Sequence, residues 1–275
     1  MDAVVAAARR GRDFLLAQGA ALEAGIVDHL WFAADPQPAI SALASYQNDD
    51  GGFGKGLELD IESPASNPFA TWMGLIYLRS LPATVTEHIR MKAAAWLSEN
   101  QAADGDWHLS EETRSRGLAP WLTTWTFPSL MPSCCLAGQA AALGIASPRM
   151  LDRVDALFRE QASLDQVRDG EFYELTPYAD YSLTGRLPEV YLAELVSTIV
   201  RWAREDRFAD SEAFFNFALR GSAELAARIP DAIAHQYVQR ALGEQQDDGG
   251  WPAEDSRWRH AKTAGVLAGL HRAVV

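Results

Sequence analysis

Apolar residues recur along most of this chain at spacings of three and four positions, the pattern of α-helices that bury one face. Two short helices are predicted to begin at Pro38 and Pro68, because proline in the first turn of a helix costs no hydrogen bond. No long run alternates apolar and polar positions with β-branched residues, so no substantial sheet is expected. The pattern therefore predicts an all-α fold, and it also predicts helices at 3–30, 87–100, 128–143, 148–161, 188–204, 210–228, 230–242 and 256–273.

A heptapeptide, Gln-x-x-Asp-Gly-x-Trp/Phe, recurs where predicted helices end. Clear copies span Gln47–Phe53, Gln101–Trp107 and Gln245–Trp251, and a weaker copy spans Gln166–Phe172. Asp-Gly is typical of turns, since the carboxylate bonds nearby backbone amides and glycine accepts a positive φ. The glutamine can hydrogen-bond backbone groups at a helix terminus, and the aromatic ring covers this polar cluster. We therefore expect the repeat to join helical hairpins and its own residues to be scaffold.

Composition restricts the partners and the location of the chain. Its formal net charge is −13, which argues against nucleic acid and anionic membranes as partners. The sequence has no uninterrupted run of about 18 apolar residues, so no membrane-spanning helix is expected. Its N-terminus lacks the basic and then apolar pattern of a secretory signal. The adjacent Cys134 and Cys135 are expected to be reduced, buried residues of a cytoplasmic protein. Because no Ser/Gly/Pro-rich linker interrupts the chain, residues 1–275 are predicted to form one domain.

The repeated heptapeptide resembles the repeats of squalene and hopene cyclases, plant-type class II diterpene cyclases and protein prenyltransferase β-subunits. The chain also resembles small bacterial relatives of that superfamily, in which the first repeat runs into a Gly-Leu-Glu-x-Asp segment. Here this segment is Gly56–Asp60, followed by Ile61–Ser66. The resemblance implies an α/α toroid of about six helical hairpins, in which inner helices surround a cavity for a hydrophobic, isoprenoid substrate.

The resembled class II cyclases protonate an alkene with the middle acid of an Asp-x-Asp-Asp motif, which this sequence lacks. Its nearest candidate is Asp60-Ile61-Glu62, before the Pro68 helix, with Glu58 two residues earlier. Three neighbouring carboxylates repel one another, which is expected to raise the pKa of the most buried one. Asp60, Glu58 and Glu62 are therefore the candidate acids, while the alternative is that they complement a helix dipole.

Aromatic residues provide the candidate lining of an apolar pocket. Two predicted loops, 118–128 and 173–181, are rich in aromatic residues, and such loops over a cavity suit an apolar ligand. For any single residue, ordinary packing between helices is the competing interpretation. The candidate substrate-binding residues are Trp72, Trp121, Trp125, Tyr178, Tyr181 and Trp258.

The motifs of related metal enzymes are broken in this chain. A prenyltransferase zinc site needs Asp-x-Cys, but Pro132 and Ser133 stand two positions before the cysteines, and no histidine has ligand spacing with them. Asp49-Asp50-Gly51-Gly52-Phe53 lacks the last acid of the Asp-Asp-x-x-Asp magnesium motif. No resident metal or cofactor is expected, although magnesium would accompany a diphosphate substrate.

Three functions follow as hypotheses. The first is a class II terpene cyclase-like enzyme, an isomerase or lyase with Asp60 or Glu58 as the acid. The second is a non-catalytic toroid that binds an apolar ligand or a partner protein. The third is a carbohydrate-active (α/α) barrel with Glu58/Asp60 or Glu174/Asp180 as its carboxylate pair.

Overall fold

The computed structural model describes residues 1–274, and the side chain of Phe172 lies outside the described part. About 67% of the chain is helical, and no strand occurs among the described residues, which confirms the all-α prediction. No helix in this part is long and apolar enough to cross a membrane. The α-helices are α1 Asp2–Ala17, α2 Ala21–Phe32, α3 Gln37–Tyr46, α4 Pro68–Arg79, α5 Glu87–Asn100, α6 Glu111–Ser115, α7 Pro120–Thr123, α8 Leu130–Ala142, α9 Pro148–Gln161, α10 Leu164–Asp169, α11 Phe172–Tyr181, α12 Glu189–Arg204, α13 Ser211–Ala218, α14 Ala223–Ala227, α15 Asp231–Glu244 and α16 Arg259–Val274.

Three sequence predictions about helix boundaries need correction. The segment 3–30 is two helices, because Gly19 has φ +70° between α1 and α2. The segment 210–228 is also interrupted, between α13 and α14. The predicted loop 173–181 is helix α11, which a reciprocal capping box of Glu171 and Glu174 begins despite Pro177 in its interior.

The chain divides into two compact units, one formed by Met1–Ala42 with Glu189–Val275 and the other by Leu43–Pro188. In the first unit, α16 packs against α1 and α2, so the two ends of the chain meet. The Trp31 indole N–H donates to the Leu267 carbonyl at 3.1 Å across this contact. The prediction of one domain over the whole chain stays a prediction.

In the second unit, α8 is the central helix and packs against α4, α9 and α11. Its residues from Leu130 to Ala140 are all buried. Small residues allow the close approach of helices here: a Cβ added to Gly138 would overlap the Asp180 carbonyl of α11. The hydrophobic core of this unit therefore runs along α8, between α4 and α11.

The three clear copies of the heptapeptide fold into one conformation, which we call the repeat turn. The glycine has φ +93°, +93° and +92° in the three copies. In each, the aspartate carboxylate accepts the backbone N–H two residues later, at 3.0 to 3.1 Å. This is the turn that the sequence predicted, and its carboxylates serve the backbone of their own loop. The aspartates are Asp50, Asp104 and Asp248, and the glycines are Gly51, Gly105 and Gly249.

The glutamine of each repeat turn joins the turn to a neighbouring helix. Its side-chain amide donates to the glycine carbonyl within the turn, at 2.8 to 3.0 Å. It donates a second hydrogen bond to a carbonyl of the adjacent helix: Gln47 to Ile89 of α5 and Gln101 to Met150 of α9, while Gln245 reaches Ala7 of α1. One amide therefore satisfies two backbone acceptors and fixes the contact between turn and helix.

The aromatic ring of the repeat turn is buried in all three copies. The Trp107 indole donates to the Leu97 carbonyl at 2.9 Å, and the Trp251 indole donates to the Ala241 carbonyl at 2.8 Å. Both acceptors lie in the helix that precedes the turn. Phe53 is 0% exposed in the first copy. The two indoles therefore join their turns to the preceding helix, whereas the Phe53 ring lies against Gly74 of the following helix, α4, and all three are buried as expected of a scaffold element.

The fourth copy of the heptapeptide does not form the repeat turn. Gln166 lies inside α10 and is exposed, and Gly170 has φ −71° where that helix ends. The prediction of an Asp-Gly turn at Asp169-Gly170 is therefore wrong. The amides of Val167 and Gly170 instead donate to the carbonyls four residues earlier, as in an α-helix. The aromatic position of this copy, Phe172, has a side chain outside the described part.

Candidate active site

The segment with the candidate acids is held by backbone pairing with a distant loop. The Ala119 amide donates to the Asp60 carbonyl at 2.9 Å, and the Glu62 amide donates to the Gly117 carbonyl at 3.1 Å. Ile61, between them, is 1% exposed and anchors the segment in the core. This pairing brings the acids beside the aromatic segment that begins at Pro120.

The carboxylates of Glu58 and Asp60 have different surroundings. Glu58 is 7% exposed, and its Oε1 accepts the Asp60 backbone N–H at 3.1 Å. Asp60 is half-buried, and its Oδ2 accepts the Trp121 indole N–H at 2.9 Å. Glu62 is exposed and lies against Gly117. The structure therefore separates Glu58, which is buried, and Asp60, which is half-buried, from Glu62, which is exposed.

Trp121 and Trp125 are positioned by the short helix α7. Leu122 of this helix is fully buried, and its carbonyl accepts the Trp125 backbone N–H at 3.2 Å. The Trp125 indole N–H donates to the Ser129 hydroxyl at 3.1 Å, just before α8 begins. Both tryptophans are half-buried, so each retains some accessible ring surface.

Four rings form one cluster beside Asp60, and we call Phe69, Trp121, Trp125 and Tyr173 the aromatic cluster. Phe69 meets both indoles edge to face, with ring centroids 5.9 and 5.7 Å apart. Tyr173 stacks on Trp121 at 5.2 Å with an interplanar angle of 23° and meets Trp125 edge to face at 6.0 Å. The two indoles lie 5.7 Å apart at 78°. Such offset and perpendicular contacts are the favourable aromatic geometries.

The acids act electrostatically on Tyr173. Its side chain is 45% exposed, yet partial burial raises the pKa of the phenol, and the charges of Glu58 and Asp60 raise it further. A phenolate here would be poorly solvated and would lie near two carboxylates. Tyr173 therefore stays neutral, in a region of negative potential.

The aromatic cluster lies at the N-terminal ends of three helices. Phe69 is the second residue of α4, whose cap Asn67 accepts the Ala70 N–H at 2.9 Å. Tyr173 is the second residue of α11, and Trp125 bonds the residue before α8. Helix N-termini carry partial positive charge, the feature on which the dipole interpretation of Glu58 and Asp60 depends. The dipole interpretation of these acids and the catalytic one therefore apply to the same place.

The remaining predicted binding residues lie elsewhere. Tyr178 and Tyr181 are 0% and 1% exposed, and their hydroxyls bond Ser163 and Asp155 within the core. Trp258 belongs to the other unit and is half-buried in a short 3₁₀ segment, Ser256–Trp258. The structure brings Trp121 and Trp125 to Asp60, whereas Tyr178 and Tyr181 are buried and bond Ser163 and Asp155.

Trp72 contacts a different carboxylate. Its indole N–H donates to Asp180 Oδ2 at 2.7 Å, joining α4 to α11. Asp180 is 0% exposed and Trp72 is 9% exposed. Asp180 and Tyr173 are seven residues apart on α11, so they share one face of that helix, about two turns apart. The Trp72–Asp180 contact therefore lies deeper in the unit than the aromatic cluster.

Sequence reasoning missed Asp106 as an unusual acid. It occupies the variable position before Trp107 in the second repeat turn and is 0% exposed. Its two oxygens accept the backbone N–H groups of Trp107 and Ser129, each at 2.8 Å. Burial nevertheless raises its pKa to about 7. The signal in the sequence was an Asp where the other two clear copies carry Gly52 and Gly250.

A second missed group of charges lies in the other unit. Lys262 of α16 pairs with Asp210 and with Glu212 of α13, the latter at 3.1 Å. Burial raises the pKa of Glu212, and the neighbouring Lys262 opposes this shift. These ion pairs join α13 to α16, and nothing in the sequence pattern pairs these residues.

Neither a metal site within the described residues nor a similarity to known proteins adds to the assignment of this site. Within residues 1–274, no group of three or more His, Cys, Asp or Glu side chains comes together as a metal site would require. Searches of protein-family models and of curated proteins find no match to this chain.

Proposed function

We propose that this chain is a class II terpene cyclase-like enzyme with an α/α toroid fold, acting on an isoprenoid or prenylated substrate. The resemblance of its repeats to those of the cyclases supports the fold. Three repeat turns of one geometry, each joined to a helix beside it, and the packing of α16 on α1 agree with a ring of helical hairpins. No metal or redox cofactor takes part in the proposed chemistry.

One observation carries the functional proposal: Asp60 Oδ2 accepts the Trp121 indole N–H at 2.9 Å, and Trp121 belongs to the four-ring aromatic cluster. A cyclase of this type needs an acid next to ring faces that stabilise positive charge. Asp60 meets the aromatic cluster at the N–H edge of Trp121, so the acid and the four rings form one group of contacts. The acid also lies at the entry to α4, where the resembled cyclases carry theirs.

The reaction would begin on the Asp60 carboxyl. Because an indole N–H can only donate, Oδ2 remains an acceptor and the transferable proton belongs on Oδ1. The O–H bond breaks as the alkene π pair forms a C–H bond, which leaves a carboxylate and a positive charge on the neighbouring carbon. Internal alkenes then attack that carbon and close rings. Loss of a proton to a base, or capture of water, ends the sequence.

Incubation with linear prenyl diphosphates and prenylated aromatic compounds tests this proposal. We expect a cyclised product by gas chromatography and mass spectrometry. In deuterated water the product should carry one additional deuterium, since the acidic proton exchanges with solvent. Asp60→Asn should abolish that product while the protein remains folded by circular dichroism. No cyclised product from any substrate, or full turnover by Asp60→Asn, would reject the assignment.

A second candidate is the non-catalytic binder, and one observation favours it. Tyr173 is 45% exposed and Asp60 is half-buried, whereas carbocation chemistry requires that water be excluded. Saturable binding of an unreactive prenyl alcohol without turnover of any alkene would support a binding protein. Turnover would exclude it. A panel of oligosaccharides in the same assay tests the carbohydrate alternative.

A further inference from the structure

We propose that the aromatic cluster, with Glu58 and Asp60, binds a small organic ammonium ion on the accessible surface of Tyr173 and its neighbouring indoles. The proposal concerns the same site as the proposed function, with Asp60 in the carboxylate form that remains after proton transfer, and it does not require turnover.

The ring geometry meets the first requirement for such a ligand. A cation is attracted to the π face of an aromatic ring, and Trp and Tyr are better partners than Phe. Trp121 and Tyr173 are nearly parallel at 23°, while Trp125 is nearly perpendicular to both, at 78° and 79°. The ring planes therefore have two orientations, and Tyr173 is the ring of the cluster whose exposed fraction shows accessible surface. The rings fill the centre of the cluster, so the ligand must lie at its accessible margin, where Tyr173 is 45% exposed.

The second requirement is negative potential at the ring surface, and the carboxylates of Glu58 and Asp60 provide it. Glu58 and Asp60 both raise the pKa of the Tyr173 phenol, which shows that their negative potential reaches this ring. A positive ligand on the ring would be attracted by the π face and by the carboxylates together. A neutral ligand of the same shape would gain the apolar contact alone.

The same surroundings favour an organic cation over a metal ion. Calcium and magnesium need six or more oxygen ligands, and magnesium keeps several of its waters. A metal ion would gain little from rings that offer no lone pairs. An alkylated ammonium is weakly hydrated and spreads its charge over C–H groups, which pack against rings. Within residues 1–274, no group of three His, Cys, Asp or Glu side chains suits a metal ion.

Choline and its neutral isostere 3,3-dimethylbutan-1-ol provide the direct test, because they differ in charge and hardly in shape. We expect choline to quench tryptophan fluorescence saturably and to bind at least about tenfold more tightly than the isostere. Calorimetry at fixed ionic strength checks the same ratio. Equal affinity for the two compounds, or saturation by neither, would overturn the proposal.

Variants locate the site. Tyr173→Ala should lose choline binding, while Tyr173→Phe should keep it because the ring face remains. Glu58→Gln and Asp60→Asn should each reduce the preference for choline over the isostere. The matched control is Tyr191→Ala, a half-buried tyrosine near the start of α12 in the other unit, which should bind choline as the unmodified protein does. Unchanged binding by Tyr173→Ala, or loss of binding by Tyr191→Ala, would contradict the location.

Two further arms separate this proposal from its neighbours. If the protein sediments with phosphatidylcholine vesicles but its fluorescence does not saturate with free choline, the ligand is a lipid headgroup and the proposal of a small dissolved ligand is rejected. If the protein prefers choline over the isostere but converts no prenyl substrate, the cyclase assignment is rejected and the ammonium site is supported. If it converts a prenyl substrate without preferring choline, the ammonium site is rejected and the cyclase assignment is supported.

Discussion

Carboxylates serve two different purposes in two regions of this molecule. In the repeat turns, the side chains of Asp50, Asp104 and Asp248 each accept a backbone N–H of their own loop at 3.0 to 3.1 Å. At the aromatic cluster, Asp60 instead accepts an indole N–H, and its charge, with that of Glu58, acts on a phenol. The turns use acids to satisfy the backbone, whereas at the cluster Asp60 accepts a hydrogen bond from the N–H edge of an indole. The difference separates scaffold from site, although both regions are rich in Asp and aromatic residues.

The second repeat turn shows how far the scaffold can vary. In the first and third turns, the amide of the aromatic residue donates to a threonine of the following helix, Thr71 or Thr263, at 3.0 and 3.1 Å. In the second turn, the Asp106 carboxylate replaces that hydroxyl and also accepts the Ser129 amide. Both solutions satisfy the same donor. Only the second introduces a buried acid with a raised pKa.

The largest expected loss of stability comes from adding a methyl group to the glycine of a repeat turn. A Cβ on Gly51 would overlap the Lys92 carbonyl, and φ there is +93°. Gly51→Ala should lower the free energy of unfolding by about 3 kcal/mol or more, measured by urea denaturation. The matched control is Gly185→Ala, where φ is +68° and nothing lies within 4 Å of the added carbon. It should cost about 1 kcal/mol. Equal costs would show that the contact with α5 is unimportant.

The next largest expected loss of stability distinguishes the repeat turns from the fourth copy of the heptapeptide. Gln101→Ala removes two buried hydrogen bonds, to Gly105 and Met150, and should cost about 2 kcal/mol. Gln166→Ala removes an exposed side chain that accepts one bond from Tyr178, and should cost under about 1 kcal/mol. Thermal unfolding of the two variants side by side measures the difference. Similar losses would mean that the fourth copy is also a scaffold element.

Asp106 makes stability depend on pH in a direction opposite to that of an ordinary paired carboxylate. Its folded pKa of about 7 exceeds the ordinary 3.8, so between these values the folded protein holds a proton that the unfolded chain releases. The free energy of unfolding should therefore fall as pH rises from about 4 to 7, by up to about 1.4 kcal/mol per pH unit from this group.

Asp106→Asn isolates this contribution, because an amide does not titrate. The variant carries its own cost, since its NH₂ group cannot accept one of the two backbone N–H groups. The measurement is therefore the slope of unfolding free energy against pH, rather than stability at one pH. Between about pH 4 and 7 the slope should become more positive in the variant, because the negative contribution of Asp106 is removed. An unchanged slope would refute the raised pKa.

The smallest expected effect lies at the site itself. An asparagine at position 60 can still accept the Trp121 N–H through its carbonyl oxygen, so Asp60→Asn should change the free energy of unfolding by under about 1 kcal/mol. Chemical denaturation checks this value. A loss comparable with that of Gln101→Ala would place Asp60 in the scaffold instead.

The sequence predicted the scaffold better than the site. Helical periodicity and the Asp-Gly turns identified most helices and the three repeat turns, because both depend on residues close in sequence. The fourth copy was misjudged, since Gln166 and Gly170 match the heptapeptide while their backbone continues and ends a helix. The segment 173–181 was also misjudged as a loop, because the capping box of Glu171 and Glu174 begins a helix there that continues through Pro177.

The site depended on contacts between distant segments. Asp60 and Trp121 were predicted separately, and only the pairing of residues 60–62 with 117–119 brings them together. Phe69 and Tyr173 join the aromatic cluster because α4 and α11 begin at the same place, which no local pattern records. Tyr178 and Tyr181 were predicted to bind substrate on aromatic character alone, and the core explains their burial.

Turnover of a prenyl substrate by two matched carboxylate variants is the most direct test of the separation between scaffold and site. Asp60→Asn removes an acid beside the aromatic cluster, and Asp50→Asn removes one that bonds Gly52 and Ser66 in a repeat turn. With both variants folded, we predict that cyclised product falls at least about 100-fold for Asp60→Asn and stays within about threefold for Asp50→Asn. Equal turnover by the two variants, or a greater loss at position 50, would contradict the account.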